Sequence, residues 1–220
     1  MRTSITKYTR LSDSLIYRII VLLLFLSSFQ NLYAQRETII PAANESDYYY
    51  QIPSYPEKFD ATTVAARMID ALGFRYYWAT EGLREVDLSF APSKKARTSA
   101  RTIDHILDLT HITLYAVSGE VAPAIDKTNM SVAEKRNLAL RNLMEASETL
   151  KRATRKSMEE MQIIFAGSDG SPSEFPFWNV INGPIADAIH HTGQIVSFRR
   201  TTGNPINPKI SVFSGTVREK

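Results

Sequence analysis

The chain has no cysteine among its 220 residues. That excludes disulfides, thiolate metal ligands, a cysteine nucleophile and a lipid-attachment cysteine, so stability has to come from core packing. Histidine is scarce as well, with four in all, so any imidazole-based site must draw on a large share of them. The sequence contains no internal repeat, no sustained heptad run, no low-complexity tract and no glycine loop of the phosphate-binding kind. Long apolar runs are missing too. The run "IIVLLLFL" at 19–26 is eight residues long, well short of the roughly 20 needed to cross a bilayer as a helix.

That short run follows Lys7, Arg10 and Arg18 and precedes the polar "SSFQN", with "LYAQ" offering a small residue, Ala34, as a cleavage point. The pattern is that of a secretory signal peptide over 1–34, against the alternative of an uncleaved anchor, and it places the mature protein in the periplasm or outside the cell. No stable membrane insertion is expected after cleavage. Removing the leader also removes four of the 26 basic residues and one of the 23 acidic ones, leaving 22 of each. A near-neutral mature surface lacks the basic stripe that a phosphate-tracking protein needs, so nucleic acid is excluded as a partner.

What is present is an ordinary globular composition, 44% apolar and 22% charged, enough for one core. Residues 35–59 carry prolines and clustered tyrosines without helical period and read as an extended lead-in to a domain at 60–220. Asp60 can cap a first helix whose Val64, Met68 and Leu72 recur at four-residue spacing. "TEGLREVDLSFAPSKKAR" reads as a connection. A second helix spans about 99–117, with Ile103, Leu107, Thr110, Leu114 and Val117 on one stripe and Leu109, Ile112 and Ala116 on another. Ser131 and Glu134 form a capping box that opens a third helix expected to reach about residue 160, packing through Ala139, Leu143, Ala146, Leu150 and Ala153. In "MQIIFAGSDGSPSEFPFWNVING" the apolar "IIF" is either a short strand or a packed loop. Pro184 suits the start of a last helix and Gly203 its end. The tail "INPKISVFSGTVREK" is expected to return a β-like segment over the helices. The fold class is therefore all-α: four helices with irregular connections and a short β element.

The last helix, "PIADAIHHTGQIVSFRR", has two faces. At about 100° per residue, Asp187, His190, His191 and Gln194 share an arc of roughly 100°, opposite Ile185, Ala188, Ile189, Ile195 and Val196. A surface helix also has a polar face, but such faces are usually furnished with Lys, Glu and Arg, and this arc has none. Arg199 and Arg200 lie nearer the apolar side, where their stems can snorkel or bond terminal carbonyls. Asp187 and His191, four residues apart, stack on adjacent turns and can converge on one cation. A third donor must come from another helix. His105 and His111 on the second helix compete for that role, and, about 240° apart, they cannot share a direction. His190, rotated off the ligand pair, is a candidate acid or base or an ordinary exposed histidine. Gln194 is a candidate to orient a ligand or water, or to bond a neighbouring helix. Gly193 costs helix stability, which points to a close backbone approach. "FPFWN" offers Phe175, Phe177 and Trp178 as an apolar wall for a substrate pocket, or as core.

"HHTGQIVSFRR" with a glycine following, a partner four residues before its second histidine, and a histidine on the second helix together resemble the DinB-like superfamily of YfiT-like metal-dependent hydrolases. The resemblance covers about 61–205. It implies a four-helix bundle holding a divalent metal ion, zinc, nickel or iron, on three protein ligands. Position by position it implies His105, Asp187 and His191 as metal ligands. The family usually has histidine where this chain has Asp187, a departure that bears on metal identity and occupancy. Two histidines and a carboxylate are nonetheless a competent set. The function expected is hydrolase or transferase chemistry on a small-molecule substrate, with His190 and Gln194 as the catalytic candidates. The rival is a non-catalytic bundle that has lost its metal and serves in binding or in the cell envelope. Homodimer formation is left open.

Overall fold

The computed structural model describes residues 47–167 and 171–219; the expected leader at 1–34 lies outside them. The described chain is mostly helical, with a few short antiparallel strands. In chain order the elements are α1 (Ala61–Thr80), α2 (Glu85–Ser89), α3 (Ser99–Ser118), α4 (Val132–Arg152), α5 (Arg155–Glu159), β1 (Gln162–Ala166), β2 (Pro172–Pro176), α6 (Trp178–Val180), a π-helical turn (Ile181–Ile185), α7 (Ala186–Thr201), β3 (Ile210–Ser211) and β4 (Thr216–Val217). Helix α1 packs on α4 and α7, and α3 packs on the same two, so each long helix has two long neighbours. Among the described residues no helix is long and apolar enough to cross a membrane.

Local capping sets where the long helices begin. Asp60 accepts from the backbone N–H groups of Thr62 and Thr63, both at 3.1 Å. Ser131 Oγ accepts from the Glu134 N–H at 3.2 Å while Glu134 Oε2 accepts from the Ser131 N–H at 2.7 Å. Each satisfies donors that the first helical turn leaves unpaired. Helix α4 ends at Arg152 rather than near 160, because a second cap intervenes: Thr154 Oγ1 accepts from the Ser157 N–H at 3.1 Å and opens α5. The apolar repeat itself holds, with Ala139, Leu143, Ala146 and Leu150 fully buried.

The stripe expected on α1 is shifted. Val64 is 41% exposed, whereas Ala65, Ala66, Ile69, Leu72, Tyr76 and Ala79 are buried. This helix is flanked on two sides, so its inner face is broader than a four-residue repeat and uses alanine where helices approach closely. On α3 the buried set gains Ile106 and Thr113, while Ile112 and Leu114 stay partly open. The loop between α1 and α3 is not pure connection, since it contains α2.

In the described part of the lead-in, Tyr50 lies against Tyr77 and Trp78, and Tyr49 packs most deeply. Tyr49 is 1% exposed, and its ring lies against Gly73 so closely that a β-carbon there would overlap it. Gly193, where a close approach was expected, has open space around it and is exposed. The approach that forbids a side chain therefore falls on α1 rather than α7. "IIF" is a strand: β1 pairs antiparallel with β2, Ile164 opposite Glu174. The tail forms a two-stranded hairpin, β3 with β4, held to the lead-in by an Ile52 N–H to Gly215 carbonyl bond at 2.8 Å.

Candidate metal centre

Helices α3 and α7 run in opposite senses along their contact: His191 meets His105 in the first turns of α3, while Leu109 and Ile112 further along α3 line one cleft with Pro184 and Asp187 at the start of α7, and Phe198, late in α7, meets Phe90 of the chain leading into α3 (ring centroids 5.6 Å apart). That registration decides which histidine of α3 meets the polar arc of α7. His105 Nε2 lies 3.2 Å from Asp187 Oδ2, and His191 Nε2 lies 3.3 Å from Asp187 Oδ1. The imidazoles of His105 and His191 meet edge to face at 4.8 Å. His111 points elsewhere, its Nε2 2.8 Å from the Pro123 carbonyl and its ring against Tyr115. One potential ligand atom from each of His105, Asp187 and His191 falls within 4.8 Å of the others.

The arc on α7 is half sunk. His191 is buried, Asp187 and Gln194 are partly covered, and His190 is exposed. The buried line of the helix runs through Ile185, Ala188, Thr192, Ile195 and Arg199, while Ile189 is exposed and Val196 only partly covered. Its N-terminal approach is the π-helical turn, which places Pro184 inside the helical segment instead of at its first position. Gly203, at φ +75°, follows the last turn as expected of a terminating glycine.

Gln194 connects the two adjacent histidines. Its Oε1 lies 2.8 Å from His191 Nδ1 and its Nε2 lies 3.2 Å from His190 Nε2. An amide oxygen only accepts, so it takes the proton of His191 Nδ1, and the lone pair of a neutral His191 is left on Nε2. That nitrogen faces Asp187 Oδ1, which also only accepts. With the ring neutral these are two acceptors 3.3 Å apart, an arrangement that a cation would satisfy, and two imidazoles with a carboxylate are a donor set that zinc, nickel and iron all accept. The residues present therefore fit a divalent metal ion. Gln194 makes no bond to another helix among the described contacts; its role is to fix the ring it touches.

An open cleft of about 630 Å³ begins at Asp187 and His190. Leu109 and Ile112 of α3, Ile163 and Phe165 of β1, and Phe175 of β2 give it apolar walls, and Asn179 and Asn182 add amides. Phe177 and Trp178, expected to wall the pocket, do not line it. Where the chain turns into α6, Phe177 is buried and Trp178 is 76% exposed. Phe175, from the same "FPFWN" stretch, does face the cleft, together with Phe165.

Sequence reasoning missed Arg97. Its Nη1 lies 3.4 Å from His191 Nε2, although it belongs to the loop before α3, 94 positions away in the chain. Nothing local signals this, since "SKKAR" reads as a solvated basic run. No family model, curated protein or solved structure matches this chain.

Proposed function

We propose that this chain is a DinB-like four-helix bundle in which His105, Asp187 and His191 hold a divalent metal ion, acting as a hydrolase or transferase on a small molecule outside the cytoplasm. The observation that carries the reading is the meeting of those three side chains from α3 and α7, one potential ligand atom from each within 4.8 Å of the others. The mutual packing of α1, α3, α4 and α7 supports the bundle, and the leader pattern at 1–34 supports export.

A metal ion bound there would supply Lewis acidity, lowering the pKa of a bound water and polarising a substrate carbonyl or leaving group. The chain's own residues do the rest. Gln194 keeps the His191 lone pair on Nε2. His190, exposed at the mouth of the cleft, is placed to accept or return a proton there. The apolar walls of Leu109, Ile112, Phe165 and Phe175 orient a substrate body and displace water from it.

A second reading, a bundle that has lost its metal and works by binding, is favoured by one observation: the Arg97 guanidinium already stands against His191 Nε2. Elemental analysis separates the two. The purified full chain is expected to carry near-stoichiometric metal, and the His105→Ala, His191→Ala double variant none. A metal-free wild type after growth and purification with zinc, nickel and iron supplied would end the first reading.

A further inference from the structure

We propose that Arg97 couples cation binding at the His105, Asp187 and His191 group to the binding of an anionic small molecule, a carboxylate with an apolar body. The inference rests on the metal reading above and adds the ligand class and its control. A guanidinium donates hydrogen bonds and accepts none, so Arg97, 3.4 Å from His191 Nε2, uses the same lone pair that a metal ion would take. It competes with the metal both for the nitrogen and through its charge.

With neutral histidines the group carries one negative charge, on Asp187, and Arg97 balances it. A divalent cation reverses that sum. Arg97 then loses its acceptor and stands beside like charge at a separation of a few ångströms, well inside the screening length of physiological salt. An anion entering between the two relieves both problems. Arg97 is free to make that change, because it is an exposed side chain on the residue before the Thr98 cap of α3.

The cleft specifies the remainder of the ligand. Its walls are apolar and two of its aromatic rings, Phe165 and Phe175, come from the β-hairpin, while its polar end is formed by Asp187 and His190. A ring or short alkyl body in the cleft, against Asp187, directs an attached carboxylate to the metal group, on whose His191 Arg97 stands. Without a cation the Asp187 carboxylate repels such a ligand, so the two bind with positive cooperativity.

Calorimetric titration of Zn²⁺ into the full chain, with benzoate or the neutral benzamide present, tests this. Wild type is expected to bind zinc about tenfold more tightly with benzoate and no differently with benzamide. R97Q is expected to bind zinc about tenfold more tightly than wild type without benzoate, and to lose the benzoate response. R97K keeps the charge and is expected to keep the weak zinc affinity of wild type. Equal zinc affinity in wild type and R97Q, a benzoate effect surviving in R97Q, or no benzoate effect in wild type overturns the proposal alone. No zinc uptake in either protein overturns the metal reading and this inference with it.

Discussion

Helix α7 carries two polar clusters about three turns apart, and they are built in opposite ways. At its C-terminal end Asp87 is fully buried and surrounded by donors: the Arg84 N–H at 2.7 Å, Arg84 Nε and Nη2 at 2.9 Å, Asn204 Nδ2 at 2.7 Å and the Thr202 hydroxyl. Arg199, 4% exposed, donates to the carbonyls of Trp78, Ala79 and Glu81, which end α1, and also to Asn204. Every partner there is complementary. At Asp187 the carboxylate is 43% exposed in its side chain and faces two imidazole nitrogens, His105 Nε2 and His191 Nε2, the second on a ring whose Nδ1 proton is directed to Gln194. A buried network that stabilises a fold closes its lone pairs on donors. The Asp187 group instead sets a carboxylate against two imidazole nitrogens, a set that could hold a cation.

The largest difference is expected in stability. Removing the fully buried Asp87 side chain takes the shared acceptor from Arg84, Thr202 and Asn204 and leaves a hole where it packed, so Asp87→Ala should cost roughly 3 kcal/mol, whereas Asp187→Ala should cost less than about 1 kcal/mol because its carboxylate is already partly in water. Urea unfolding of both variants checks the contrast, and equal losses would erase it. Acid sharpens it further. Hydrogen bonds from Arg84 above all, with Thr202 and Asn204 behind them, hold the Asp87 carboxyl far below the usual carboxylate range against the opposing effect of burial. Its folded pKa is depressed, so its contribution is complete above the unfolded value of about 3.9 and is lost as pH falls below it. The stability gap between wild type and Asp87→Asn should therefore narrow below about pH 4.

These two clusters also mark what a single sequence can disclose. Caps at Asp60 and Ser131 were legible because a cap acts within three residues, and the pairing of Asp187 with His191 because i and i+4 share a helix face whatever surrounds it. The choice between His105 and His111 was not legible, since it depends on how α3 and α7 register, which packing decides. Arg97, Asp87 and Tyr49 were hidden for the same reason. Arg97 and Tyr49 act on partners far away in the chain, and although Asp87 bonds Arg84 three residues off, its burial comes with Thr202 and Asn204 from the far end of α7; a loop arginine or a buried aspartate has no local signature that distinguishes it from a solvated one. Gly193 misled because helix cost was read as close approach, while the neighbour that does demand glycine, the Tyr49 ring, sits over Gly73.

A smaller effect is expected where the open cluster is held from behind. Gln194 takes the His191 Nδ1 proton, so Gln194→Ala frees the ring to turn or change tautomer and should weaken zinc binding about 10- to 100-fold, the usual penalty for losing a group that orients a metal-bound histidine. Gln194→Glu retains an accepting oxygen and should restore most of the affinity. Thermal unfolding of the metal-free proteins should hardly move, because Gln194 bonds only side chains at the rim. A Gln194→Ala variant with wild-type zinc affinity and lowered stability would assign Gln194 to the fold, like Asn204, and remove the difference between the clusters.

The smallest expected change lies between them on the same helix. Gly193 is exposed, has nothing within 4 Å of where a β-carbon would stand, and does not adopt a positive φ. Alanine in a helix interior is favoured over glycine by up to about 1 kcal/mol, so Gly193→Ala should raise stability by that amount in urea unfolding. Because Gly193 adjoins the buried Thr192 and the rim residue Gln194, its neutrality for zinc uptake is informative in itself. Unchanged zinc affinity with higher stability means that ligands approach from the cleft side, by Asp187 and His190. A loss of zinc or benzoate binding on adding one methyl group would instead mean that the face over Gly193 belongs to the ligand's path, which would extend the open cluster a turn toward Arg199 and away from the apolar walls.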